Sequence, residues 1–227
     1  MQSVNTKQLA AEQAVTYIKS GMMVGLGTGS TAAFAIQEIG RRVKEEGLQI
    51  RAIATSDRSE EMAKEFNIPI VGFADFDTIN ITIDGADEVD ENLNIIKGGG
   101  GALLREKIVS VQTETNIIIV DESKLVVHLG KFPLPVEVVP FALTVVDRKL
   151  QKLGCTTVLR KKELEVYVTD NKNYILDCHF GKITDPAALE QTINAITGVV
   201  DNGLFIKRAS FVIAAYNDGN IRTLKND

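Results

Sequence analysis

Residues 22–46, MMVGLGTGSTAAFAIQEIGRRVKEE, read as a buried strand, a glycine-rich turn and an amphipathic helix in direct succession. The apolar run 22–26 shows no alternation, as expected of a strand covered on both faces. Ala32, Ala35, Ile36, Ile39 and Val43 then recur at helical spacing on one face. The alternation continues on both sides of this stretch. Residues 6–19 read as a helix carrying Leu9, Val15 and Ile18, and residues 50–54 as a second strand. Asp57 with Glu60 resembles a capping box that opens the helix DRSEEMAKEF. Residues 68–71 and 79–83 read as third and fourth strands, 102–112 as a helix and 117–120 as another buried strand.

Strands and helices taking turns imply an α/β fold, a Rossmann-like parallel sheet covered by helices. The pattern changes near Pro133. Strands are expected at 136–139, 155–159, 174–178 and 199–205. Helices are expected at 142–153 and after Asp185-Pro186, where proline suits the first turn. The order βαββαβ is that of a smaller α+β, ferredoxin-like unit. Residues 209–215 would then return to the first sheet. The expected division is a catalytic α/β domain over 1–130 plus 206–227, with a small α+β domain inserted over 131–205.

The 227 residues suffice for such a core, and 44% hydrophobic with 24% charged residues is an ordinary globular balance. The net charge of −5 argues against a nucleic-acid partner, although local lysines can still bind an anion. Two cysteines make no disulfide framework, so a reducing, cytoplasmic setting is expected. There is no signal-peptide pattern and no apolar run of membrane-spanning length.

In an open parallel sheet, ligands bind beyond the carboxyl ends of the strands. The segments leaving those ends are GLGTGST, TSDRS, DGADEVDE and DESK. In the first, glycines let the backbone approach a ligand, and the helix start offers N–H groups to an anion. Ser30 and Thr31 add hydroxyls. The segment is neither a P-loop nor a GxGxxG fingerprint, since Ser30 stands in place of the third glycine. A tight turn with a Ser/Thr cap accounts for it equally well.

Asp84 and Asp87 follow the apolar strand INITI, where carboxylates can face a pocket. A solvated acidic turn is the plainer reading, because Glu88, Asp90 and Glu91 continue the charge. A Mg²⁺ site is a third, opposed by the lack of EF-hand spacing and by the charge of Lys97. Lys97-Gly98-Gly99-Gly100-Gly101 has the composition of a flexible linker. It lies, however, between apolar LNII and the helical stretch ALLREKIVSVQ. A loop whose amides close on a ligand explains that placement, with Lys97 at its entrance to meet a developing oxyanion. Glu106 reads either as a catalytic carboxylate or as a surface residue pairing with helical neighbours. Lys124 reads as a phosphate contact or a solvated loop residue. His128 and His179 join no Ser/His/Asp or Cys/His set.

Together, GLGTGST, DGADEVDENLNIIKGGGGALLREK and DESK resemble the A-type ribose-5-phosphate isomerases, and the similarity spans nearly the whole chain. The resemblance implies interconversion of ribose 5-phosphate and ribulose 5-phosphate, with no metal and no other cofactor. It implies that Glu106 is the catalytic base and that Asp84, Asp87 and Lys97 share the chemistry. Thr28, Gly29, Ser30 and Thr31 match the first substrate loop. Asp84, Gly85, Ala86 and Asp87 match the acidic loop, and Lys97, Gly98, Gly99 and Gly100 the glycine loop. Lys124 and Lys7 match substrate-contacting lysines. A phosphorylated pentose is the implied partner, with a homodimer or homotetramer as the implied assembly. The chain departs from the family's pattern in a longer, charged stretch, LRKKELEVYVTDNKN, inside the inserted domain. Two other classes fit parts of the pattern. A coenzyme A transferase also uses a glutamate on a related fold, and a non-catalytic sugar-phosphate sensor also binds such a ligand.

Overall fold

The structure is a computed structural model that describes residues 4–226. In chain order its strands are β1 (Met23–Leu26), β2 (Arg51–Ala54), β3 (Ile79–Gly85), β4 (Glu88–Val89), β5 (Ile95–Ile96), β6 (Thr113–Asp121), β7 (Leu134–Val138), β8 (Thr156–Leu159), β9 (Lys161–Lys162), β10 (Glu165–Val166), β11 (Tyr174–His179), β12 (Val199–Asn202), β13 (Leu204–Phe205), β14 (Phe211–Ala215) and β15 (Ile221–Leu224). Its α-helices are α1 (Thr6–Val15), α2 (Ser30–Glu46), α3 (Asp57–Glu65), α4 (Leu103–Val111), α5 (Leu143–Gln151) and α6 (Pro186–Asn194). Among the described residues, no helix is long and apolar enough to cross a membrane.

The chain divides into two compact units. The first holds residues up to Ala86, Arg105–Leu125 and those from Lys207 on; the second holds Asp87–Leu104 and Val126–Ile206. The second unit therefore begins earlier than the stretch 131–205 marked out from sequence. The reason is pairing: β4 joins β5, and β5 joins β13, in a three-stranded sheet that ties residues 88–96 to 204–205.

The first unit is built on a six-stranded sheet of order β15-β14-β6-β3-β1-β2. All its pairings are parallel except β14 with β15. Val24 and Leu26 of β1 share a core with Ala10 and Ala14 of α1 and with Ala35, Ile36 and Ile39 of α2. Met23 joins a separate cluster with Ile53, Ile79 and Val109, the last from α4. Both faces of the sheet are thus covered, which is why these strands read as unbroken apolar runs. The registers Leu26↔Ile83 and Gly85↔Ile119 bring the carboxyl ends of β1, β3 and β6 to one edge.

The expected third strand at 68–71 shrinks to one bridge between Ala52 and Ile70. Pro69 has no N–H to give, so its carbonyl serves Ala52 and the ladder stops there. The capping box read at Asp57 also moves. The N-cap is Ser56, whose hydroxyl accepts from the Ser59 N–H at 3.1 Å.

In the second unit, β7, α5, β8, β11, α6 and β12 form the βαββαβ sequence. Their sheet has order β12-β7-β11-β8 and is antiparallel throughout. Val136, Val138, Val146, Leu150, Leu176 and Ile193 fill its core. The expected strand 199–205 splits at Gly203. Its first part pairs with β7 and its second with β5, and Gly203 bridges the two, its N–H on the Pro135 carbonyl and its carbonyl accepting from the Lys97 N–H. The charged stretch that follows β8 folds into the hairpin β9–β10.

Candidate active site

In the first unit, Asp84 ends β3 and is buried, 3% exposed. Its Oδ1 accepts from the Thr28 N–H at 3.0 Å and from the Gly85 N–H at 2.8 Å. Two backbone donors favour the ionised carboxylate and fix its direction. Glycine at 27 is required for this approach, since a Cβ there would lie 2.2 Å from Asp84 Oδ1. The loop that follows Leu26 is therefore shaped around this carboxylate.

Thr28 is held from behind by a cluster of hydroxyls. Its Oγ1 lies 2.7 Å from Thr55 Oγ1 and donates to Ser56 Oγ at 2.9 Å. Ser56 Oγ donates to Ser59 Oγ at 3.0 Å, which donates to the Gly27 carbonyl at 2.8 Å. Sequence reasoning placed TSDRS on this edge but assigned none of its residues. Their role emerges from burial, with Thr55 fully covered and both serines 5% exposed. Ser56→Ala removes a helix cap, a loss of about 1 kcal/mol. The thermal midpoint is expected to fall by about 2–4 °C. An unchanged melt would show that the cap contributes nothing.

Helix α2 begins at Ser30 after Gly29, and no side chain caps its first turn. Lys7 brings its Nζ to 3.0 Å from Ser30 Oγ. A cation, a hydroxyl and a helix N-terminus thus meet at one point, a combination suited to an anion. Lys124 lies in the 3₁₀ turn Glu122–Lys124 that follows β6. Glu106, in the first turn of α4, is 5% exposed, and Lys107 beside it is 8% exposed. That burial removes the reading of Glu106 as a surface residue. Arg105 instead pairs with Asp57 at 2.6 Å.

In the second unit, Asp87 is tied to the glycine loop. Its Oδ2 accepts from the Gly99 N–H at 2.7 Å, and its own N–H bonds the Ile96 carbonyl at 2.8 Å. The Gly99 amide, read from sequence as a donor to a ligand, is therefore committed to Asp87. A Cβ on Gly99 would lie 2.5 Å from that carboxylate. Gly98 and Gly101 take φ of +98° and +82°, and the Gly101 N–H closes a turn on the Gly98 carbonyl at 3.0 Å. The loop is a folded turn and no linker. Lys97 is 3% exposed, with its N–H on the Gly203 carbonyl at 2.9 Å and its Nζ 5.7 Å from the Phe205 ring centroid. Among the described residues, no group of three or more His, Cys, Asp or Glu side chains is arranged to hold a metal ion.

The sequence matches the family described as ribose 5-phosphate isomerase A (phosphoriboisomerase A) over residues 51–219. The chain belongs to that family. It is 48% identical over 217 residues to the ribose-5-phosphate isomerase A of Bacillus mycoides, covering 95% of this chain and 98% of the relative. It is 49% identical over 218 residues to that of Methanothermobacter thermautotrophicus, covering 95% and 96%. Among solved structures, ribose 5-phosphate isomerase A from Methanocaldococcus jannaschii superposes with a TM-score of 0.93 at 44% identity, over 98% of this chain and 99% of that one. A D-ribose-5-phosphate isomerase in complex with phospho-erythronic acid gives a TM-score of 0.95 at 39% identity over the full length of both. The α/β fold expected from sequence is borne out, with a mostly parallel sheet and a separate antiparallel one.

Proposed function

We propose that this chain interconverts D-ribose 5-phosphate and D-ribulose 5-phosphate through an enediolate, with Glu106 as the proton shuttle. The enzyme is an aldose–ketose isomerase of the pentose phosphate pathway. The observation that supports the shuttle assignment is the burial of Glu106 in the first turn of α4. The furanose opens as the anomeric hydroxyl gives up its proton, the bond from C1 to the ring oxygen breaks and the ring oxygen is protonated, and Asp84 assists that step. Glu106 takes the C2 proton, leaving its electron pair in the C1–C2 enediolate, and returns the proton to C1. One carboxylate reaches both carbons because they are adjacent. Asp87 orients hydroxyls or relays a proton. Lys97 and the glycine loop stabilise the enediolate oxygens. Thr28, Gly29, Ser30, Thr31, the start of α2, Lys7 and Lys124 hold the phosphate and the sugar's register.

The test is conversion of ribose 5-phosphate in D₂O. Ribulose 5-phosphate carrying deuterium at C1 is expected, and absence of isomerisation would overturn the reading. The reaction is taken to be metal-independent, so a strong chelator should leave turnover intact; loss restored by Mg²⁺ would return the metal to Asp84 and Asp87. The enzyme is further taken as cytoplasmic, in keeping with two unbridged buried cysteines, and as a homodimer or homotetramer. Light scattering on the active protein reads the assembly, and a monomer would contradict it.

A further inference from the structure

We infer that Arg160 is a positioning residue for the glycine loop, holding the peptide planes of Gly98 and Gly99 so that the loop presents fixed donors to the enediolate. This rests on the isomerase reading above. The residues concerned all lie in the second unit.

Arg160 directly follows β8 and faces Asp177 on the neighbouring strand β11. Its Nε donates to Asp177 Oδ2 at 2.9 Å, and its Nη2 donates to Oδ1. This two-pronged pair fixes the plane of the guanidinium. Its side chains are only 13% and 16% exposed, unlike a solvated surface contact. The remaining nitrogen, Nη1, is thereby aimed at the loop. It donates to the Gly98 carbonyl at 2.7 Å and to the Gly99 carbonyl at 3.2 Å.

The consequence follows from peptide geometry. In a trans peptide the carbonyl and the amide point in opposite directions, and no peptide here is cis. The peptide joining Gly98 to Gly99 is therefore gripped at both ends, its carbonyl by Arg160 and its amide by Asp87. The next peptide also gives its carbonyl to Arg160, which turns the Gly100 N–H away from Arg160. Tyr167 supplies a third tie, its hydroxyl donating to the Gly100 carbonyl at 3.3 Å. Burial pushes the Tyr167 phenol above its ordinary value, so the proton needed for that bond stays in place. The tyrosine also occupies the space beside Gly101, where a Cβ would meet its Oη at 2.2 Å. A run of glycines would otherwise be costly to order. These ties place that cost in folding rather than in the transition state, which is where preorganised donors act.

The test replaces the pair as a unit, Arg160→Met with Asp177→Leu, so that no buried charge loses its partner. A kcat loss of at least about tenfold is expected, because misplaced donors forfeit transition-state stabilisation. KM for ribose 5-phosphate should change by less than about threefold, since uniform binding is untouched. The inhibition constant of phospho-erythronic acid should rise in step with the fall in kcat/KM, because its carboxylate is planar and anionic like the enediolate. A folded double variant with kcat within about twofold of wild type would overturn the inference. Should the double variant not fold, Arg160→Lys decides by the same criteria. Its single ammonium can satisfy Asp177 but cannot also span two carbonyls. A wild-type chain that fails to isomerise ribose 5-phosphate would defeat the isomerase reading itself. An active wild type beside an equally active variant defeats only the role of Arg160.

Discussion

Glu106→Gln is expected to lower kcat by about 10²–10⁴-fold while leaving substrate binding in place. The substitution keeps the shape of a side chain that is 5% exposed, so packing in α4 is preserved. What disappears is the ability to take a proton. An amide cannot accept the C2 proton and hold it for return to C1, so both halves of the transfer fail together. The measurement is steady-state turnover alongside binding of phospho-erythronic acid. A variant with near-normal kcat would end the assignment. A variant with raised KM and unchanged kcat would recast Glu106 as a binding group, since that pattern marks loss of uniform binding.

The second large effect is expected at Lys97. Lys97→Met keeps an unbranched stem and removes the ammonium. A loss of about 10²–10³-fold in kcat is expected, the usual result of deleting one preorganised donor to an oxyanion. Burial makes the effect large. The residue is 3% exposed, and charge interactions strengthen where water is excluded. The backbone anchor remains, because the N–H of position 97 stays on the Gly203 carbonyl. Turnover is expected to collapse in a variant that a thermal melt shows to be folded. A variant that loses affinity for substrate but not kcat would show that the charge acts on the ground state.

Much of this was legible in the chain, for identifiable reasons. Val24, Ile81 and Ile117 belong to strands covered on both faces, and such strands betray themselves as unbroken apolar runs. Helix α6 announces itself by Asp185 and Pro186, the cap and first residue of the helix. Legibility fails where local pattern is weak. The two-residue strands β4, β5 and β13 carry no periodicity, and only pairing at a distance defines them. At the site, residue identities were readable but their partners were not. Nothing in LREK says that Glu106 is buried while Arg105 reaches Asp57. Nothing in KGGGG says that the Gly99 N–H belongs to Asp87. Arg160 and Tyr167 sit in a stretch read from sequence only as charged, and their bonds to the glycine loop span about sixty residues of sequence.

The parallel pairing of β6 with β14 also governs the order in which the protein is made. Strand β6 ends at Asp121, but its neighbour does not begin until Phe211. Until then Ile117–Val120 lie on an open sheet edge, able to pair with any other strand in reach. The ribosome must deliver the rest of the second unit, Val126–Ile206, before that edge is covered. That unit has its own core and can form during the wait, as domains generally fold during synthesis. Nascent chains stalled before residue 211 should therefore be the aggregation-prone species in the cell, with the exposed flank of β6 as the point of attachment.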